Sequence, residues 1–571
     1  MIQAVIDIAL RNRLFVLLVT ALVSLLGALV YQRMPKDIYP DLNAPLVNII
    51  TSCPGMAAED VERMITFPLE SLMNGTPHVI RVRSESTTGE SVVTVEFDWG
   101  VDIYLARQIV SGKLEILAEQ LPAGASRPMM GPVSSRMGEI FEFAVVGEGV
   151  DPMELRSVAD WTIRYRLLGV EGVSFVLNLG GFVRQYQVLL NPEMLHHYGL
   201  TVGEVKEAVE QSNRNFSGGI ITGKNQEFLI KGEGRIDSLA HIENTVIASR
   251  KNVPVFVKDV AEVKVAGKFC RGDAGFNGQE AVSVVVQKQY GGDTLRTISR
   301  LKEFLAEIQG RLAAGIKIVT YYDQSRLIES SLEHVGMAML EGGVLVMLVI
   351  LVFLGSLRAS LIASLTIPLS ILLSFVLMHV AGISLTVMAL GGLAIGVGKM
   401  AGGSVIMVEN IHRRFQDAAE RGSPVALAAA GAKEIGSYLF SANLIIVLVF
   451  LPLLALEGIA GRMFRPMAFA LIAASFGALV INLTLQPVLM SYRRTGSVGR
   501  RGFGLMSLAT GCYAWLLNGA FRRKWAVLLL ALAVLAVGAA CYPHLGSEFV
   551  PFLDEGAIIA STVMLPSSPQ S

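Results

Sequence analysis

Apolar residues run almost unbroken through seven stretches of the chain, about 14–31, 335–354, 360–380, 385–408, 438–456, 466–491 and 525–542. Each is long enough to cross a hydrocarbon core of roughly 30 Å as a helix. Between the first and second stretches the period changes. In 34–334, short alternating runs predict strands and longer runs at helical spacing predict helices. Val47–Ser52 reads as a strand, Ala57–Met73 as a helix, Val79–Ser84 and Ser91–Phe97 as strands, and Ile103–Gln120 as a helix. Pro54-Gly55 and Asp98–Val101 supply turns. The βαββα order recurs with strand Ile140–Val146, helix Pro152–Leu168, strands Gly172–Leu179 and Val183–Leu190, and helix Thr201–Asn213. A third piece comprises strand Ala281–Gln287, helix Thr294–Leu312 and strand Ile316–Tyr322. The expected fold is an α-helical membrane domain of seven transmembrane helices plus an α+β domain of split-βαβ sandwiches.

Basic residues orient this pattern. Arg11 and Arg13 precede the first span, which places its N-terminus in the cytoplasm. Its apolar run is longer than a signal-peptide core and no A-x-A site follows, so a retained helix is expected. With that orientation the loops 355–359, 409–437 and 492–524 face inward, and they carry Arg358, Arg413, Arg414, Arg421, Lys433, Arg493, Arg494, Arg500, Arg501, Arg522, Arg523 and Lys524. The short outer loops hold only Arg462 and Arg465. The expected organisation is a first span in 1–33, an outer domain in 34–334 with a strand-rich insertion at about 214–270, and spans two to six in 335–491. A cytoplasmic loop at 492–524 follows, then the seventh span at 525–542. Within that loop, 504–519 reads as an amphipathic helix on the membrane face. Residues 543–571 look like the start of a second outer domain, cut short. Lys524-Trp-Ala-Val-Leu-Leu matches Arg13-Leu-Phe-Val-Leu-Leu, and Glu548-Phe-Val-Pro-Phe-Leu matches Asp37-Ile-Tyr-Pro-Asp-Leu. The seventh span therefore repeats the first, and duplicated halves mark many transporters.

Composition agrees with this division. The chain is 52% hydrophobic and 17% charged, with no formal net charge. That is too apolar for an ordinary soluble enzyme, and it offers no basic field for nucleic acid. Cys53, Cys270, Cys512 and Cys541 form no metal-binding spacing. Gly391-Gly392 and Gly402-Gly403 are not followed by Gly-Lys-Ser/Thr, so no phosphate loop is present and no cofactor is expected. The central fourth stretch, Leu385 to Asn410, carries Lys399 and Glu409. A lysine at membrane depth costs roughly +2.5 to +3.5 kcal/mol and must face protein or water. Ten residues separate the two charges, which is about 15 Å along a helix and about 80° around it, so a pairing partner must come from another helix. Glu341 lies in the second span and can line a vestibule or a helix contact, and His196-His197 reads as surface histidine.

Several motifs together resemble the N-terminal half of resistance–nodulation–division (RND) efflux permeases, in the heavy-metal branch. They are Met34-Pro-Lys-Asp-Ile-Tyr-Pro-Asp, Pro54-Gly, Phe67-Pro-Leu-Glu, Asp102-Ile-Tyr-Leu-Ala-Arg-Gln, Gly391-Gly-Leu-Ala-Ile-Gly, Val408-Glu-Asn and Phe450-Leu-Pro-Leu. The resemblance implies proton-driven export of heavy-metal cations from the bacterial inner membrane, with a periplasmic porter and docking domain. It also implies a homotrimer, a periplasmic adaptor and an outer-membrane channel. At the position of the family's proton-carrying aspartate this chain has Gly402, with Lys399 one turn away. The expectation is a split, truncated or uncoupled permease subunit, alone or with a second-half chain. The alternative is a non-transporting membrane component that docks on a partner half or pump. Lys399 and Glu409 are the candidates for a substitute relay around Gly402.

Methionine thioethers suit Cu(I) or Ag(I). Met388, Met400 and Met407 lie on the central span and Met490 on the sixth. The resemblance to copper and silver exporters makes Met407 and Met490 a stepping-stone pair. The partner expected for Met400 falls at Ser475, and the methionine of the periplasmic metal site at Ser561, close to Met564.

Overall fold

Mean hydropathy of +0.53 over the chain comes from long helices that resolve as seven candidate membrane spans in the computed structural model. The structure describes residues 2–544 except 41, 43, 118–120, 123, 134–137, 224–225, 251, 269–271, 418–422 and 493–503, and beyond 544 only residues 546 and 560. The expected features at Cys270, Arg421, Arg493, Arg494, Arg500, Arg501, Ser561 and Met564, and the repeat at 548–553, lie outside the described residues. The chain divides into two compact units, Met1–Ile140 with Gln287–Arg300 and Asp323–Ile559, and Phe141–Val286 with Leu301–Tyr322 and Ala560–Ser571.

In the first unit the spans are Arg13–Arg33, Gln324–Leu354, Leu357–Val380, Val387–Asp417, Pro424–Leu454, Gly458–Ser491 and Lys524–His544. Several outrun their apolar windows because polar caps extend them. Asp323 accepts from Ser325 N–H to start the second, and Ser423 accepts from Ala426 N–H to start the fifth. The third and sixth spans are broken. Helix Leu357–Ser364 gives way to Thr366–Val380, and Gly458–Leu483 gives way to Leu485–Ser491 through Thr484 at φ −115°. Each break precedes a proline, Pro368 or Pro487, whose missing N–H deprives the carbonyl four residues earlier of its donor.

The central span, Val387–Asp417, packs most extensively on the sixth. Its inner face buries Leu393, Val397, Met400, Ala401, Ser404, Met407, Val408 and Ile411. Its N-terminus is anchored. Lys36-Asp37 pairs in parallel with Leu385-Thr386, and Thr386 Oγ1 accepts from Ala389 N–H at 3.2 Å. Asp37 in turn accepts from Lys288 Nζ at 2.8 Å. The seventh span, by contrast, buries none of its residues.

The first unit also holds a sheet in the order Val79–Thr87, Glu90–Phe97, Leu46–Ser52, Met129–Met130, with helices Phe67–Asn74 and Ile103–Leu117 closing its core. The second unit holds the sheet Ile316–Asp323, Glu139–Gly147, Val282–Lys288, Val173–Leu179. This differs from the sequence grouping, which joined Val183–Leu190 to Gly172–Leu179 in one repeat. Gly180 and Gly181, at φ +79° and +62°, turn the chain away, and Arg184–Leu190 pairs antiparallel with Ala261–Gly267 instead. The second and third sequence pieces thus contribute strands to one sheet, with the strand-rich segment inserted between them.

Close helix contact depends on individual glycines. A Cβ on Gly392 would collide with the backbone carbonyl of Met467, whereas one on neighbouring Gly391 meets nothing within 4 Å. Gly392→Ala should therefore cost about 1–3 kcal/mol through overpacking. Gly391→Ala should be neutral or stabilise by up to about 1 kcal/mol through helix propensity. Thermal unfolding of the two detergent-extracted variants checks this contrast.

Candidate functional site at the central span

Alternating burial along the central helix sorts its candidate residues onto two faces. Ile395, Gly398, Lys399, Gly402, Ile406 and Glu409 are exposed and form one outward stripe. Space beside Gly402 is open, with nothing within 4 Å of a built Cβ. The structure therefore puts Lys399, Gly402 and Glu409 on the same side of the helix. Neither charge has an ion-pair partner among the described residues. The next residue, Asn410, is buried and faces the other way. Its amide donates to Gly431 O at 2.9 Å and to Glu434 Oε2 at 3.0 Å, tying the central span to the fifth. Sequence reasoning read Asn410 only as part of a motif.

The methionines separate likewise. Met407 and Met490 are both buried in one apolar cluster with Ile6, Ile350 and Ile411. Met400 belongs to a second cluster with Leu393 and Ala474. Its sulfur lies 2.8 Å from Ser370 Oγ, a hydroxyl whose single proton also has Thr366 O within reach at 2.6 Å. Ser475, the expected partner position, is buried, and its Oγ has no hydrogen-bond partner among the described residues. Met388 is half-buried near the start of the helix.

Behind the stripe lies a polar cluster that sequence reasoning missed. Ser404 Oγ donates to Ala363 O at 2.6 Å. Thr366 Oγ1 donates to Asn482 Oδ1 at 3.4 Å and accepts from Gln486 Nε2 at 2.8 Å. Gln486 Nε2 also donates to Ser404 Oγ. Thr366, Ser404 and Gln486 are wholly buried. The signal was present in Thr366-Ile-Pro368 and Gln486-Pro487: polar residues beside a proline inside an apolar run mark a break whose polar groups need internal partners.

The AcrB/AcrD/AcrF family matches residues 5–571. The chain belongs to that family of RND permeases. It is 34% identical over 584 residues to "Cation efflux system protein CzcA" of Alcaligenes sp. (strain CT14), covering 100% of this chain and 55% of that protein. It is 33% identical over 582 residues to "Cation efflux system protein CusA" of Escherichia coli (strain K12), covering 99% and 55%. A crystal structure titled as a heavy metal efflux pump superposes with a TM-score of 0.83 at 29% identity, over 96% of this chain and 53% of that one. The chain thus spans about half the length of the curated relatives it matches.

Thr366→Val should cost about 1–3 kcal/mol, because it leaves a buried Gln486 N–H without its acceptor. Thr366→Ser should stay close to the native protein. Unfolding midpoints of the two variants measure the difference.

Proposed function

We propose that this chain is a permease unit of a heavy-metal cation efflux system in the bacterial inner membrane, with altered ion coupling. The observation that carries the reading is the match to cation-efflux relatives over essentially the whole chain, combined with a central span that keeps the family's Val408-Glu409-Asn410 but has Gly402 beside it. Basic inner loops support a cytoplasmic N-terminus, with the large α+β region, including its split-βαβ sandwiches, in the periplasm. Further helices, from a longer polypeptide or a second chain, would cover the Lys399–Gly402–Glu409 stripe. Among the described residues the stripe's two charges have no ion-pair partner, which supports this, since a bare lysine and glutamate at membrane depth are costly.

The cargo is a soft cation, copper or silver, moving by way of Met388, Met400, Met407 and Met490. The burial of Met407 and Met490 in one cluster supports that pair. Replacement of Met400's expected partner by Ser475 weakens the second. A trimer and contacts with an adaptor and outer-membrane channel fit the antiparallel hairpin Phe216–Thr222/Glu227–Gly232. Its Phe216, Ile220, Ile221, Phe228 and Leu229 are all more than half exposed, and a two-stranded ribbon is marginal alone.

Gly402 cannot take up or release a proton, so an acidic group returned there should restore proton coupling. In energised vesicles from source membranes, Gly402→Asp should raise the rate of copper or silver transport by about tenfold over the native chain, in a manner abolished by collapsing the pH gradient. No gain from a correctly inserted Gly402→Asp protein would instead favour a non-transporting component.

A further inference from the structure

Three span ends meet at one edge of the membrane bundle. The first span begins at Arg13, the third begins at Leu357, and the sixth closes at Ser491, one residue before Tyr492. Spans that alternate in direction put the start of an odd-numbered one and the end of an even-numbered one on the same side, here the side that the basic loops mark. The first span packs on Leu485–Ser491, which packs in turn on Leu357–Ser364. Between the third and sixth spans lies a cavity of about 330 Å³, lined by Leu357, Arg358, Leu361, Ile362, Leu489 and Tyr492.

The lining has an apolar part and a charged part. Leu357 and Leu361 stand one turn apart and are both more than half exposed, so they extend the cavity as an apolar track along the helix. Ile362 is buried and Leu489 half-buried. Arg358 is exposed and makes no hydrogen bond or ion pair among the described residues. The Tyr492 hydroxyl also has no partner among the described residues. Arg13 lies over the Tyr492 ring at 5.0 Å, which steadies the phenol by a cation–π contact and adds a second charge without a carboxylate partner among the described residues. Asp7, the acidic residue of the helix before the first span, is engaged by Lys433 at 2.7 Å.

We infer that this cavity binds an anionic phospholipid, with its phosphate on Arg358 and the Tyr492 hydroxyl and an acyl chain along Leu357 and Leu361. Charge complementarity selects this occupant. A further helix laid in the same groove would have to bring a carboxylate to meet Arg358, whereas a lipid supplies a phosphate at the membrane edge and an apolar chain below it. A guanidinium fork matches phosphate geometry, and basic pockets between membrane helices on the cytoplasmic side suit lipid headgroups. The inner-leaflet position rests on the cytoplasmic orientation proposed above, but lipid binding is measured in detergent without reference to orientation or transport.

Thermal unfolding of the intact protein in a neutral detergent is followed during titration with phosphatidylglycerol, with phosphatidylcholine of the same acyl chains, and with glycerophosphoglycerol, the headgroup without chains. Phosphatidylglycerol should raise the midpoint by about 2 °C or more, and the other two should not. Arg358→Gln should keep the lipid-free midpoint, yet need at least about tenfold more phosphatidylglycerol for the same rise. Arg522→Gln, which removes an exposed charge outside the cavity, should leave the response unchanged. No rise with phosphatidylglycerol, an equal rise with phosphatidylcholine or with the headgroup alone, or an undiminished response in folded Arg358→Gln would overturn the site. So would an equal loss in Arg522→Gln, which would mark general attraction to basic residues. Each of these results leaves metal export to be judged by its own assay.

Discussion

Inside a bilayer a polar group has no water to fall back on, and that constraint organises this molecule. The central span satisfies it on one side only. Ser404, Thr366, Asn482 and Gln486 share hydrogen bonds behind the helix, and Asn410 binds the fifth span. The opposite stripe leaves Lys399 and Glu409 without ion-pair partners among the described residues. The packing that holds the helix in this orientation follows from small residues. Gly392 brings the sixth span's backbone into contact, and Gly27 does the same between the first and third. Burying the polar cluster and exposing the charged stripe are two consequences of one helix orientation.

Much of this was legible in the sequence because membrane helices obey a single strong rule. Seven apolar runs predicted seven spans, and the described helices match them in number and order. The soluble part was less legible. Strand positions followed from alternation, but the pairing of Arg184–Leu190 with Ala261–Gly267 depends on two left-handed glycines whose effect on direction no periodicity encodes. The same holds within the membrane. Lys399 announced itself as a charge in an apolar run, whereas Thr366 and Gln486 did not, because a single neutral polar residue scarcely alters hydropathy. Their importance arises only when two proline breaks, more than a hundred residues apart in sequence, meet at one level of the bundle.

The functional consequence lies in what the two faces of the helix can each do. We propose that the family's fold serves cation export here, with Gly402 leaving the central span without a proton-carrying side chain at that position. Met400 lies beside the Ser370 hydroxyl, and Ser475 stands at the position expected for its partner.

We propose that the Lys399–Gly402–Glu409 stripe is an interface, covered in the native membrane by further helices. Native mass spectrometry of the complex extracted from source membranes in mild detergent tests it most directly. The expected result is a membrane subunit other than this 61.5 kDa chain, or a larger polypeptide that contains it. A complex whose only membrane component is the 61.5 kDa chain, alone or in multiples, would contradict it.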